Sequence, residues 1–351
     1  MKKYSRRNFI RVTGSTSVGL TLLSNPLTLL STGSPSSKVV VAVMGVRSRG
    51  KALAVNFARQ KDTEVAYICD VDERYLNDCI KRVSEVQQKP PKGVKDFRKI
   101  LNDASVDALV IAAPDHWHAP ATILACAAGK HVYVEKPCSH NPNEGEMMVR
   151  AARNFNRQVQ MGAQRRSWPV IIEGIEEVRK GTIGRTYFAK GWYTNTRPSI
   201  GIGKVSDVPD NLDFDLWQGP APRREYKDNI HPYNWHWFWH WGTGEACNNG
   251  THSIDLMRWG LDVKYPVKVV SAGGRYHFRD DWETPDTQII SFEFEENKAM
   301  TWEGRSCNGY GVEGSGYGII FYGDQGTLVM GNNSYAIYDM EKQLIRIKED
   351  V

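Results

Sequence analysis

The run Val39–Met44, apolar at every position, ends on Gly45 and gives way to a helix-like stretch over Gly50–Gln60; no other feature constrains the chain as much. A strand that is apolar along its whole length must be buried on both faces, and helices packed on two sides of a parallel sheet achieve this. The pattern then repeats. Glu64–Cys69, Ala108–Ala112, His131–Val134 and Val159–Met161 read as further short strands, and Glu73–Val86, Ala119–Ala128 and Pro142–Asn156 as helices between them. Buried strands alternating with helices of about 10–15 residues predict a doubly wound parallel α/β sheet over 38–163.

Past Gly181 the character changes. Thr186–Tyr193, Val267–Ala272, Thr287–Phe294, Ala299–Glu303, Gly318–Tyr322, Thr327–Met330 and Leu344–Lys348 read as strands joined by Gly, Asp and Asn turns, with one helix near Ala246–Gly260. This predicts a second, α+β domain over 164–351 with an open, mainly antiparallel sheet. The irregular segment 195–245 is expected to cover a cleft between the two. A strand running up to Val351 leads us to expect a further C-terminal piece. At roughly 150 residues per domain, 351 residues accommodate such a pair, and 41% apolar residues suffice for a sizeable core.

The formal charge of +5 does not mark a nucleic-acid binder. The first 37 residues carry Lys2, Lys3, Arg6, Arg7 and Arg11 and no acid, and without them the chain is neutral. Ser5–Arg11 is a twin-arginine pattern, followed by a weakly apolar stretch, Val18–Leu30, that Ser24-Asn25-Pro26 interrupts. That stretch is too short to span a bilayer stably and fits the apolar part of a signal peptide. The expectation is export to the periplasm in the folded state, with no transmembrane span after processing. No A-x-A cleavage site stands near Ser31–Ser37, so a retained N-terminal anchor is the alternative. Six cysteines, none in a C-x-x-C pair, are expected to be free buried thiols in a chain this long.

Gly45-Val46-Arg47-Ser48-Arg49-Gly50 lies between the first strand and its helix, where a dinucleotide fingerprint would have glycine at both ends and in the middle. Arg47 takes the middle position. Its charge, with Ser48 and Arg49 at the helix N-terminus, suits a pyrophosphate. Asp70 ends the second strand at the spacing where an acid binds the adenosine ribose hydroxyls, which favours NAD. Arg47 and Arg74 temper that preference, so NADP is the second choice. An ordinary strand-end aspartate is the plain alternative for Asp70.

Two more strand ends carry chemistry. Pro114-Asp115-His116-Trp117-His118 follows one strand, and can either line the nicotinamide side of a cofactor or cap the next helix through Asp115. Glu135-Lys136-Pro137 follows another, and a partly desolvated lysine there suits proton transfer. In the second domain Asn248, His252 and Asp255 share one helix face by spacing, and Asn248 with His252 could hold a substrate hydroxyl. Trp235, Trp237, Trp239 and Trp241 alternate with His236, Phe238 and His240, which if extended puts the tryptophans on one side. Such a face suits a sugar ring or a subunit contact, with a packed core strand as the plain alternative; Trp235, Trp237, Trp239 and His240, with Asp255 of the later helix, are candidate substrate contacts. His236 and His240 lack a carboxylate partner at metal-site spacing, and no metal is expected.

Together the degenerate glycine turn, Asp70, Pro114–His118, Glu135-Lys136-Pro137 and Gly250-Thr251-His252-Ser253-Ile254-Asp255 resemble the Gfo/Idh/MocA oxidoreductases over nearly all of 38–351. The leader and the tryptophan-rich segment are similar to its exported branch. The resemblance implies a Rossmann domain, an open-sheet second domain, NAD(P) between them and a homo-oligomer packed through the sheet. It also implies that Lys136 and His252 are catalytic, with Asn248 standing where many members carry aspartate. The expected function is oxidation of a sugar or glycoside secondary hydroxyl with tightly held NAD, His252 removing the hydroxyl proton with help from Lys136. One alternative is an NAD-dependent glycoside hydrolase working by oxidation, elimination, hydration and reduction, although that branch lacks the lysine of Glu135-Lys136-Pro137. Another is a non-catalytic sugar- or nucleotide-binding protein.

Overall fold

The structure, a computed structural model, describes residues 38–349; the leader, with its twin-arginine pattern, lies outside the described residues. Strands β1 (Val39–Met44), β2 (Thr63–Cys69), β3 (Lys92–Val94), β4 (Ala108–Ile111), β5 (His131–Glu135) and β6 (Val159–Gly162) form a wholly parallel sheet in the order β3-β2-β1-β4-β5-β6. Helices α1 (Arg49–Ala58), α2 (Glu73–Ser84), α3 (Asp115–Ala127) and α4 (Pro142–Asn154) supply the main crossovers. The order reverses between β1 and β4, which opens a crevice at the carboxyl edge where doubly wound folds bind ligands. Two apolar clusters, one around Val43, Val65 and Ile68 and one around Leu109, Ile111 and Val134, fill the sheet's two faces.

The second domain begins with α5 (Pro169–Arg179), a helix not expected from the sequence, and strand β7 (Thr186–Thr194). Helix α6 (Thr251–Leu261) follows a π-helical turn over Ala246–Gly250, so the single expected helix is two pieces. Strands β8 (Lys268–Gly274), β9 (Thr287–Phe294), β10 (Lys298–Arg305), β11 (Tyr317–Gly323), β12 (Thr327–Met330), β13 (Ser334–Tyr338) and β14 (Leu344–Glu349) join β7 in one sheet, ordered β14-β13-β12-β11-β7-β10-β9-β8. Every pair is antiparallel except β7 with β10. Helices α5 and α6 cover one face through Ile171, Ile175, Leu256 and Met257, packed against Trp302, Ile319 and Phe321. All six cysteines are free thiols, with Cys69, Cys79 and Cys126 buried.

The segment 195–245 is a strap that crosses back to the nucleotide-binding sheet. Leu212 bridges Asp72, Asp213 N–H donates to Val71 O at 3.0 Å, and Glu73 N–H donates to Asn211 O at 2.9 Å. Its own core is aromatic: Phe214, Trp217, Tyr226, Trp235, Phe238 and Trp241 form one buried cluster. Trp217 stacks on Phe214 and packs edge-on against Trp241, contacts that fix a segment with little regular structure.

Trp302 is fully buried at the centre of the second sheet's core. Trp302→Ala is expected to cost about 3–5 kcal/mol, read as a fall in the urea unfolding midpoint.

Candidate nucleotide and substrate cleft

A cleft of about 330 Å³ runs from the carboxyl ends of β1 and β2 to the π-helical turn of the second domain. Gly45 turns the chain at its floor with φ of +80°, and a Cβ there would lie 2.5 Å from the Ala113 nitrogen. Gly50 does not line the cleft; it lets α1 approach, since a Cβ would sit 1.9 Å from Gly45 O. Arg47 lines the wall with its guanidinium over Tyr233 at 5.4 Å and Tyr75 at 5.9 Å. Ser48 and Arg49 stand at the start of α1, where unpaired helix N–H groups and the macrodipole favour an anion.

Asp70 closes one end. Its carboxylate accepts Val46 N–H at 2.7 Å and Asp72 N–H at 2.9 Å, so it is locked to the glycine turn. Burial pushes its pKa up to about 6 against the pull of those hydrogen bonds. With Val71 N–H also drawn to it, the carboxylate still keeps a lone pair for a hydroxyl. An acceptor at one end, an arginine and a helix N-terminus between, and a lysine at the other make a donor set that fits a dinucleotide.

The strand-end motifs divide. Asp115, Trp117 and His118 line the cleft with Pro114, but they belong to the first turn of α3, not to a loop. Asp115 does not cap the helix: it is buried and accepts Thr243 Oγ1–H at 2.6 Å. His116 is turned away from the cleft, with Nε2 3.0 Å from Trp217 O; burial pushes it down to about 4. His118 places Nε2 2.8 Å from Ala113 O and Nδ1 against Pro137 O. Glu135 and Arg49, both expected at the cofactor, pair with each other at 2.7 Å on the cleft wall.

Lys136 meets the second domain at the far end. Its Nζ donates to the main-chain oxygen of Asn248 and, at 3.1 Å, to Asn248 Oδ1. Burial pushes its pKa down, and the charges of Asp115, Glu135 and Glu245 only partly oppose that. His252 is not on this wall. It sits in a small side cleft with Lys136, Ala163, Arg165, Thr251 and Asp255, and burial beside Lys136, Arg165 and Arg49 pushes it down to about 3. Asp255 is likewise outside the main cleft, bound by both oxygens to Arg166 at 2.7 and 2.8 Å.

The tryptophan-rich segment is not extended. Asn234–Trp237 makes one tight 3-10 turn, and Phe238 N–H donates to Trp235 O at 3.2 Å and Trp241 N–H to Phe238 O at 3.1 Å. The rings therefore scatter. Trp235 lines the cleft, stacked on His236 at 3.6 Å. Trp237 is buried in a stack on Trp282 at 4.0 Å, Trp239 is exposed, and His240 bonds Pro222 O at 2.7 Å; none of the three lines the cleft. Sequence reasoning missed Tyr75, Gln164, His231, Tyr233 and His236, which do. Of these only His236 fell within a segment singled out by its composition.

Residues 39–163 match an oxidoreductase family in its NAD-binding Rossmann fold, and residues 201–348 match the C-terminal alpha/beta domain of the same family. The chain is similar to a levoglucosan dehydrogenase solved with NADH and levoglucosan, at 18% identity and TM-score 0.68 over 89% of this chain and 80% of that one. It is also similar to the WlbA dehydrogenase of Bordetella pertussis solved with NADH and UDP-GlcNAcA, at 19% identity and TM-score 0.65 over 90% and 84%. At these identities the likeness is one of fold. Curated relatives include an alpha-N-acetylgalactosaminidase of Shewanella oneidensis, 24% identical over 55% of this chain and 46% of that protein. A glycosyl hydrolase family 109 protein of Shewanella sp. strain ANA-3 is 34% identical over 35% and 28%. The chain spans less than half the length of these curated relatives.

His116 and His231 are pushed down to about 4, and His236 and His252 to about 3, all by burial. The unfolded chain protonates these rings near pH 6.5, where the native protein does not, so their contribution is complete above about 6.5 and is lost as pH falls towards 3–4. Asp70, raised to about 6, works in the opposite sense. With four imidazoles against two carboxyls, Asp70 and Asp115, which burial also raises, the melting temperature is expected to drop steadily between pH 6.5 and 4; a flat profile there would show that the rings are not buried as neutral groups.

Proposed function

The chain belongs to the Gfo/Idh/MocA oxidoreductase family, and on that premise we propose that it is an NAD-dependent dehydrogenase acting on a secondary hydroxyl of a sugar or glycoside, with the nucleotide held as a resident cofactor. The observation that carries this reading is Lys136. It stands at the carboxyl end of β5, where the nucleotide-binding crevice meets the second domain, with two acceptors from Asn248 on its Nζ. NAD would hold along Asp70, Arg47 and the start of α1, and when bound it supplies the acceptor for the hydride leaving the carbinol carbon.

The residues of the chain handle the proton. In its uncharged form the Lys136 amine uses both N–H groups on the two Asn248 oxygens and has its lone pair left for the cleft. There it takes the hydroxyl proton at Nζ as the carbon–oxygen bond becomes a carbonyl. Its lowered pKa makes the uncharged form accessible nearer neutrality. This moves the proton acceptor from His252 to Lys136. A ring pushed down to about 3 and surrounded by cations accepts a proton poorly, and it does not line the cleft. Asn248, neutral and unable to act as a base, holds the lysine. Trp235 and Tyr233 offer aromatic wall to the sugar, with Gln164 and His236 as polar partners.

The strap supports residence of the cofactor. Its hydrogen bonds to Val71 and Glu73 lie beside Asp70, and Trp217, His231, Pro232 and Tyr233 complete the cleft wall. A nucleotide enclosed this way leaves only when those contacts open. The leader supports export of an already loaded protein, and turnover there calls for a second substrate to return the electrons. The outer strands of the large sheet expose Val269, Val270, Ile289, Ile345 and Ile347, which supports assembly through that sheet. A glycoside hydrolase with catalytic NAD is the second reading, favoured by the alpha-N-acetylgalactosaminidase and the family 109 protein among the relatives.

Protein offered a panel of sugars and glycosides, with reduced-nicotinamide absorbance and aglycone release followed together, separates the readings. NADH that accumulates stoichiometrically and stalls is the expected outcome. Continuous aglycone release without net NADH would establish the hydrolase, and neither signal with NAD bound would make the protein a binder. Lys136→Met is expected to slow turnover about 10²–10⁴-fold with nucleotide still bound, and activity should rise with pH in the acid limb as Lys136 loses its proton.

A further inference from the structure

Behind Asn248 lies a buried ion pair that the proton-transfer account above does not use. Glu245, 3% exposed, accepts Arg197 Nε–H at 2.8 Å and Ser306 Oγ–H at 3.1 Å on Oε2. Its Oε1 accepts the side-chain amides of Asn249 and, at 3.3 Å, of Asn248. Arg197 in turn lies 4.8 Å over Trp237 and donates to the hydroxyl of Tyr233 at 3.1 Å. Removing two charges from water is costly, and such a pair persists when its remaining hydrogen-bonding capacity is used, as here.

The amide of Asn248 has two ends, and Glu245 decides which faces where. With Nδ2 held by a carboxylate, Oδ1 is the end left for Lys136. Rotated by half a turn, the amide would set its own N–H groups against the lysine and an oxygen against Glu245, repulsive at both ends. The same ion pair also fixes Tyr233 on the opposite wall of the cleft. We propose that Glu245, with Arg197, is a positioning residue for proton transfer: it locks the Asn248 amide so that Lys136 keeps one free position directed into the cleft, and sets that lysine against the Tyr233 wall. The inference rests on Lys136 as the proton acceptor. The negative charge that an aspartate at 248 would place on the lysine is set one helical turn back, where it acts through the amide and at a longer distance.

The test needs no substrate at first. The rate at which an amine-reactive acylating reagent labels Lys136, followed by mass spectrometry across pH, reports the fraction of uncharged amine. Loss of the Glu245 charge removes one of the groups that favours the ammonium. In Glu245→Gln the labelling midpoint is therefore expected to move down by about one pH unit, with the acid limb of the rate profile moving with it. Turnover should fall about 10–100-fold, a larger change than any rise in substrate KM, because Asn248 and the lysine are displaced directly and Tyr233 only through Arg197. Folded Glu245→Gln that retains its nucleotide, with midpoint and turnover both unmoved, overturns the proposal. Should that variant fail to fold, Glu245→Asp keeps the charge opposite Arg197 but withdraws it from Asn248. It is expected to keep the midpoint and lose turnover, and wild-type turnover in it overturns the proposal equally. A failure of the underlying reading looks different: Lys136→Met would then turn over normally whatever stands at 245.

Discussion

The contact between Lys136 and Asn248 is where the two halves of this protein become one site. The lysine is carried by the carboxyl end of a buried parallel strand and the asparagine by a π-helical turn ahead of α6. Neither sheet alone provides both a nucleotide crevice and a partner for a buried ammonium. A lysine in that position without acceptors would pay the full cost of desolvation, and would be driven to deprotonate or to leave the cleft. Asn248 lets it stay, with a lowered pKa and a fixed direction.

The remaining architecture places and seals that contact. The strap hydrogen-bonds to the end of β2 beside Asp70, then folds its aromatic cluster beneath the cleft and delivers Tyr233 and Trp235 to the wall. Electrostatics at the two ends differ. At the Asp70 end, backbone N–H groups stabilise a carboxylate that burial would otherwise protonate. At the other end, burial works against the charge of a lysine while three carboxylates oppose it without touching it. Burial thus moves the two groups in opposite directions, raising the acid and lowering the base, and in the proposed reading these are the acceptor for the cofactor and the base for the substrate.

Much of the nucleotide domain was legible because β1 and β4 are unbroken apolar runs, the pattern of strands in a doubly covered sheet. Strand β3 was not, since Lys92-Gly93-Val94 is a short edge piece exposed at its first two positions. Helix α5 carries a helical signal in its own residues: Pro169 at its first turn and Val170, Ile171, Ile175 and Val178 at helical spacing. The tryptophans misled because alternation is evidence of a shared face only in an extended chain, and the tight turn at Asn234–Trp237 removes that premise. Lys136, Asn248 and Asp70 could be picked out because each sits in a short motif. Glu245 and Arg197 are far apart in sequence and carry no motif, so their pairing emerges only from the fold.

The claim that the strap makes NAD a resident cofactor is open to one direct measurement: the nucleotide content of the full-length protein purified without added cofactor and passed repeatedly through gel filtration. Stoichiometric NAD(H), released only on denaturation, is the result this account predicts. Protein that emerges free of nucleotide, and that exchanges added NAD rapidly with solvent, would contradict it.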